Sequence, residues 1–333
     1  MATYTLIRLE HLSPLHVGSG KENYDFSAAD LHSDTLTAAL AALRARQGRA
    51  GDTREFLSSF VLSSAFPYYR KQYYLPRPLG KTDLTVAGTE EHEYRKKLKS
   101  IRYIESGLWK KMIAGETLSI REIQLRDGLL HADPDRETAP RAPLSLSQVS
   151  QRVSVPREEG GDAQPFFFEW NYFAPEAGLF CLTDASGGLL EEIIDLFAQL
   201  GEQGIGTDRN VGGGKFEVTT DTLTIESPAG ANATLLLSLY LPTEEELHGL
   251  SLPSARYELL LRGGYLAGSS EEDFRHLRKR SVHMFGVGSV FPVVRKLQGK
   301  VTDLQPTWND ARMHPVYRSG CPLGIPVKHP DYE

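Results

Sequence analysis

Along the first 225 residues the apolar side chains switch between a period of two and a period of about 3.6, in the order strand, helix, strand, strand, helix, strand, and this order constrains the fold more than any other feature. Residues 4–9 are a run of β-formers that stops at Ser13-Pro14 and the turn Gly18-Ser19-Gly20. A helix is predicted to follow from Ser33-Asp34, residue types that cap helices, carrying Leu36, Leu40 and Leu43 on one face to about Arg46, with Gly48 behind it. Residues 166–173 and 178–183 are β-rich and joined by the turn 174–177, which reads as a hairpin. Leu189, Leu190, Ile193, Ile194, Phe197 and Leu200 fall on one helical stripe, and residues 215–220 read as a last strand. This is the split βαβ order, which packs two helices on one face of a four-stranded antiparallel sheet.

The order is interrupted by a long insertion, residues of about 52–165, with an apolar helix around 56–64 and a basic helix around 91–105. Pro134, Pro140, Pro143, Pro156 and Pro165 leave little room there for regular structure, so loops and a protruding hairpin are expected. The tyrosine-proline stretch 66–79 admits two readings: an extended core strand with prolines at its ends, or aromatics that stack bases beside Arg70, Lys71 and Arg77. Strand character restarts at Ala233 and continues through 257–265 and 287–294, a second α+β unit. At 333 residues the chain can bury two cores, divided as 1–225 and 226–333.

A net charge of −6 argues against a protein that grips long duplex DNA through a broad basic field, and leaves room for a local basic groove. The positive runs Arg70-Lys71, Arg95-Lys96-Lys97, Lys110-Lys111 and Arg278-Lys279-Arg280 each read as a solvated helix face or as part of an RNA track. Cys181 and Cys321 are far apart and lack zinc spacing, so no disulfide framework, metal site or cofactor is expected, and Cys181 reads as a small core residue. No apolar run approaches the length of a membrane span, and a cytoplasmic location is expected.

The segment from Gly204 to Phe216 lies between a helix and a strand and carries five glycines in eleven positions: Gly204, Gly206, Gly212, Gly213 and Gly214. Such a backbone can adopt positive φ and present N–H groups to phosphate oxygens, with Arg209 and Lys215 adding charge; the alternative is a turn without a ligand. It fits neither a P-loop nor a dinucleotide fingerprint. Leu15-His16-Val17-Gly18-Ser19-Gly20-Lys21 and His32-Ser33-Asp34-Thr35-Leu36 offer further backbone donors at a turn and a helix start. His16 and His32 could instead serve as acid and base in RNA cleavage, because imidazole titrates near neutrality.

These segments resemble the RAMP superfamily of CRISPR proteins, through its Pro-Leu-His-hydrophobic-Gly-Ser-Gly signature and its glycine-rich loop. Within it the chain is similar to the family of the fourth Csm subunit, on Leu15 to Gly20, His32 to Leu36, Phe66-Pro67-Tyr68-Tyr69, Tyr74 to Leu79, His314 to Gly320 and Gly324 to Val327. The pattern departs at one point, since Gly213 stands where the loop usually carries an aromatic residue.

The resemblance implies two ferredoxin-like, RRM-like RAMP domains, the first with the insertion. It also implies a non-catalytic subunit of a type III-A antiviral complex that caps the 5′ repeat-derived tag of the crRNA. The implied partners are the crRNA, the large polymerase-like Cas subunit and the Csm backbone subunit, with target RNA met only indirectly. A β-hairpin thumb is expected near Arg152 and Arg157. The residues expected to meet RNA are His16, Gly18, Ser19, Gly20, Lys21, His32, Ser33, Arg152, Arg157, Gly204, Gly206, Arg209, Gly212, Gly213, Gly214 and Lys215. Two other functions stay open: an endoribonuclease that processes precursor RNA through His16 or His32, and a protein-only scaffold.

Overall fold

The computed structural model describes residues 1–18, 24–87, 91–135, 139–155, 162–266, 269, 271–307, 310 and 312–332, with the side chains of 91–95 left outside the description. The strands of the first part are β1 (Ala2–Glu10), β2 (Phe66–Tyr69), β3 (Gln72–Pro76), β4 (Leu84–Val86), β5 (Tyr103–Glu105), β6 (Leu118–Ile120), β7 (Leu125–Arg126), β8 (Leu129–Leu130), β9 (Ser145–Ser154), β10 (Gln164–Phe173), β11 (Ala177–Thr183) and β12 (Glu217–Ile225). Its helices are α1 (Ser33–Arg46), α2 (Thr53–Ser58), α3 (Glu91–Ser100), α4 (Ser106–Ile113) and α5 (Gly187–Gln203). The second part carries β13 (Ala233–Leu236), α6 (Glu244–His248), β14 (Leu259–Arg262), β15 (Val282–Phe285), β16 (Val290–Phe291), β17 (Val301–Asp303), β18 (Tyr317–Ser319) and β19 (Gly324–Val327). The architecture is α+β, and no described helix is long and apolar enough to cross a membrane.

Eight strands form one sheet in the order β12-β1-β11-β2-β3-β5-β8-β7. The run β12-β1-β11-β2 pairs antiparallel throughout, with α1 after β1 and α5 after β11, which is the split βαβ arrangement. The strand that completes it is not the one the sequence pattern suggested. β2 comes from the tyrosine-proline stretch inside the supposed insertion, so residues 52–165 are not all inserted. Phe66, Tyr68, Tyr74 and Leu75 are buried, which selects the core-strand reading of that stretch.

The expected hairpin of residues 166–173 with 178–183 does not form, because both edges of β11 are taken by β1 and β2. β10 pairs instead with β9, from Gln164↔Ser154 to Phe173↔Ser145, as a separate two-stranded ribbon. Regular structure thus persists between Pro143 and Pro156, and Pro165 is accommodated because a two-stranded ribbon has an unpaired outer edge.

Alternation along β1 sends successive side chains to opposite faces of the sheet. Ile7 and Leu9, with Cys181 of β11, pack under Leu36 and Leu40 of α1 and Ile193 and Phe197 of α5. Leu6, with Phe180 and Leu182, faces the other way onto Ala233, Leu235, Ile325 and Val327 of β13 and β19. The sheet is therefore covered by helices on one face and by the second part of the chain on the other.

A carboxylate joins these layers at the start of α1. Asp34 has no exposed surface, and Arg262 of β14 donates to it through Nε at 2.8 Å and Nη2 at 3.0 Å. Arg318 of β18, itself 5% exposed, forms the second ion pair. Burial alone would raise this carboxyl, but Arg318 and then Arg262 outweigh it and hold it well below the usual carboxylate range. The cap position belongs to His32, without a side-chain cap bond, so Asp34 is a clamp and not a helix cap. The Ser33 hydroxyl, at the first helical position, accepts the Leu239 N–H at 3.0 Å. The run 278–280 lies outside any helix, with Arg278 and Arg280 exposed and Lys279 partly covered.

Asp34→Asn leaves two guanidinium groups facing a neutral amide in a buried site, which is expected to cost about 3–5 kcal/mol. Urea denaturation of both proteins measures the loss. Because the folded carboxyl is held low, its stabilisation is present above the ordinary carboxylate pKa and is lost as pH falls through the folded value. The difference between the proteins therefore persists down to about pH 4 and closes only in stronger acid.

Candidate nucleic-acid interface

The glycine loop between α5 and β12 lies against residues 13–16, which leave β1 at the same end of the sheet. The Gly214 N–H donates to Pro14 O at 2.9 Å, Thr207 N–H to His16 O at 3.0 Å, and Ser13 N–H to Lys215 O at 2.9 Å. Gly206 and Gly214 have φ of +90° and +66°, and a Cβ on either would collide with backbone, the His16 carbonyl in one case and the Ile205 carbonyl in the other. The close backbone approach these glycines permit is to the protein's own chain.

That packing corrects the backbone-cradle expectation. The N–H groups of Gly204, Gly212, Gly213, Gly214 and Lys215 donate to Leu200, Arg209, Asp208, Pro14 and the Ser13 hydroxyl. Donors already satisfied within the protein are not available to a phosphate. The N–H of Gly206 makes no hydrogen bond among the described residues.

The β9–β10 ribbon covers the loop with one face. Arg152 donates from Nη1 to Asp208 Oδ2 at 2.6 Å, and its guanidinium lies 4.5 Å from the Phe168 ring centroid and 5.2 Å from that of Trp170. Arg152 is thus a docking residue between ribbon and loop, its charge already paired. Trp170 fills the space beside Gly213, where an added Cβ would come within 2.5 Å of the indole Cη2. The aromatic group missing from the loop is in this way supplied by the ribbon.

His16 is 1% exposed, its ring 4.5 Å from that of Phe168, and Nδ1–H donates to Glu169 O at 2.8 Å. A cleaving histidine must reach the RNA, and this one is sealed under the ribbon. His32 is largely covered, and burial, followed by Arg262, holds its pKa below the usual imidazole value. Ser33 is buried and its hydroxyl already serves Leu239. Gly18 is exposed, while Ser19, Gly20, Lys21 and Arg157 lie outside the described residues.

Side chains at the loop's outer surface offer a different chemistry. Lys215 is exposed. Burial and then neighbouring Arg46 lower the pKa of Arg209, and no carboxylate pairs with Arg209 among the described residues. Arg46, at the end of α1, donates to Gln203 Oε1 at 3.3 Å. Two guanidinium groups close together without a shared carboxylate favour an anion. Arg46 escaped the sequence reading because its only signal was its place in the last turn of α1. On the ribbon's outer face Val149, Val153 and Phe167 are 50%, 55% and 56% exposed.

The chain that carries this sheet, glycine loop and ribbon is similar to RAMP-like CRISPR proteins. Within that class the chain is Csm4-like. Residues 229–327 match the family model of the CRISPR Csm4 C-terminal domain. A "CRISPR system Cms protein Csm4" of Mycobacterium tuberculosis (strain CDC 1551 / Oshkosh) is 27% identical, with 91% of this chain and 92% of that protein covered. One of Thermococcus onnurineus (strain NA1) is 26% identical, with 75% of this chain and 80% of that protein covered. The fold is similar to that of a solved chain of the Csm3-Csm4 subcomplex of the type III-A CRISPR-Cas interference complex, at a TM-score of 0.63 and 15% identity, covering 98% of this chain and 100% of that one. It is also similar to a chain of the Csm1-Csm4 cassette in complex with cA4, at a TM-score of 0.60 and 18% identity, covering 99% of both.

The two roles of glycine in the loop separate by substitution. Gly212, at φ +89° with nothing within 4 Å of an added Cβ, pays only the left-handed backbone strain as alanine, about 1–2 kcal/mol. Gly214→Ala must move the backbone of Ile205 and break the bonds to Pro14 and Ser13, a loss of about 3 kcal/mol or more. Denaturant midpoints of the two variants should differ accordingly.

Proposed function

We propose that this chain is a non-catalytic, RNA-binding subunit of a type III-A CRISPR effector complex in the cytoplasm. It holds the 5′ repeat-derived tag of the crRNA and links the large polymerase-like subunit to the backbone subunit. The observation that carries this reading is the likeness to Csm4 proteins over nearly the whole chain, β-ribbon and second part included. Its relatives of known structure were solved with Csm1 in one assembly and with Csm3 in another, which supports the two protein partners.

Arg46, Arg209 and Lys215 support RNA contact through side-chain charge, since the loop N–H groups are largely spent. The exposed apolar strip of Val149, Val153 and Phe167 supplies surface against which a base or a partner chain can pack. Burial of His16 and His32 favours the binding reading over RNA cleavage.

Replacing Arg209 and Lys215 together with alanine is expected to weaken binding of the tagged guide. The logarithmic salt slope should become shallower by about 1.4, twice the single-contact value for single-stranded nucleic acid. The measurement is a titration of the purified chain, or of the complex carrying it, against tagged and untagged guide over a salt series. Equal affinity for both RNAs with an unchanged slope in the double variant would remove the glycine-loop side chains from tag recognition. The isolated chain should leave RNA intact with or without Mg²⁺; cutting that vanishes in His16→Ala or His32→Ala would establish the endoribonuclease instead.

A further inference from the structure

His131 is a buried imidazole that neither the glycine loop, the ribbon nor the Asp34 clamp employs. It follows β8 at the outer end of the eight-stranded sheet and is 4% exposed. Gln124 fixes its backbone, accepting the His131 N–H at 2.9 Å and donating from Nε2 to the His131 carbonyl at 2.8 Å. Nδ1 lies 2.9 Å from the hydroxyl of the fully buried Tyr74. Nε2, which has no hydrogen-bond partner among the described residues and is not closed off from solvent, faces a small cavity that the ring lines. The walls of the cavity are the β7–β8 turn, with Arg126, Asp127 and Leu129, and the segment from Pro140 to Pro143, which brings Arg141. It holds about 20 Å³, little more than one water-sized group needs.

Neither Arg126 nor Arg141 is paired with a carboxylate among the described residues. Asp127 is the one carboxylate in the lining, and Glu105 nearby already accepts the Ala132 N–H at 2.7 Å. Burial, followed by Arg126, lowers the His131 imidazole to about 4 against the opposing pull of Asp127, so the ring is uncharged at neutral pH. Two guanidinium groups against one carboxylate leave a single unbalanced positive charge. The Tyr74 hydroxyl can turn from Gln72 Oε1, 3.3 Å away, to Nδ1, and Nε2 then carries the ring proton and donates into the cavity.

The lining thus offers one neutral N–H and two guanidinium groups to a slim acceptor of single charge. A carboxylate meets both conditions. A nucleic-acid backbone does not, because each of its phosphates carries a sugar on either side and brings a row of charges past Asp127.

We propose that the cavity lined by His131, Arg126 and Arg141 seats the carboxylate of an acidic side chain from a protein partner. A partner is favoured over a free carboxylate because the cavity lies at the outer edge of the sheet, where Ile123, just before β7, is 42% exposed and offers apolar contact beside the charge. That the partner is another subunit of the complex rests on the function proposed above, whereas the carboxylate chemistry does not.

The test uses the full chain, alone and assembled with the large and backbone subunits. In the assembled Arg141→Lys variant, a water-soluble carbodiimide should join the introduced amine to an aspartate or glutamate of a partner, an amide that peptide mass spectrometry locates. Arg126→Ala combined with Arg141→Ala should weaken association with that partner about tenfold. The thermal midpoint should stay where it is, since neither side chain has an ion pair to lose. With the chain alone at neutral pH, sodium acetate should shift the His131 imidazole resonances saturably, and sodium chloride should not.

Wild-type association of the double variant, with no amide in Arg141→Lys, would overturn the partner contact. An acetate shift under those circumstances would make the cavity a site for a small free carboxylate and equally overturn the protein occupant. Loss of guide binding with a shallower salt slope, at unchanged subunit association, would assign the cavity to an RNA phosphate and overturn the carboxylate. Failure of the wild-type chain to join either subunit would overturn the complex and this partner with it, while the acetate titration still decides the carboxylate chemistry.

Discussion

The Asp34 carboxylate holds the layers of this protein in register. It stands at the start of α1, is sealed from water, and is reached by Arg262 and Arg318 from elements far along the chain. A buried carboxylate is tolerated only where it is paired and hydrogen-bonded, so Asp34 can stay sealed and ionised only with both arginines of the second part seated on the start of α1. The apolar contact of Leu6, Phe180 and Leu182 with Ala233, Leu235 and Ile325 adds area to that junction, and the charges determine where along α1 it closes.

The glycine loop shows how a motif rich in backbone donors can serve packing. Its glycines allow Gly206 to run against Leu15 and His16 and Gly214 against Ile205, and the hydrogen bonds of Gly214 to Pro14 and Thr207 to His16 use up donors that a phosphate would need. The RNA contact proposed for this chain therefore rests on the side chains left at the rim, Arg46, Arg209 and Lys215, and on the ribbon. Charge contacts of this kind are sensitive to salt, whereas contacts to neutral N–H groups are not. The Arg152–Asp208 pair, flanked by Phe168 and Trp170, joins the ribbon to the loop.

Much of the framework was legible in the amino-acid order. The extent of α1, the apolar stripe of α5, the core position of Cys181 and the strand on either side of the helices follow from periodicity and from local preferences of nearby residues. The demand for glycine at 206 and 214 was legible too, because positive φ is a property of a short stretch of backbone. The proline count misled in the insertion, since prolines bound β9 and the single one inside β10 sits where the ribbon has no third strand to pair with.

What the sequence by itself determined is therefore the local part: which stretches are helix or strand, where the chain must turn, and the order that places two helices on one face of a sheet. Tertiary structure alone decided that β2 and not β10 completes that sheet, that Trp170 stands in for an aromatic absent at Gly213, and that Asp34 clamps two arginines where a helix cap was expected. It also withdrew His16, Ser33 and most loop N–H groups from contact. The physical reason is the same in each case. Strand pairing, burial and the electrostatic environment of a charge depend on residues hundreds of positions apart, and one-dimensional spacing carries no record of which distant groups the fold will bring together.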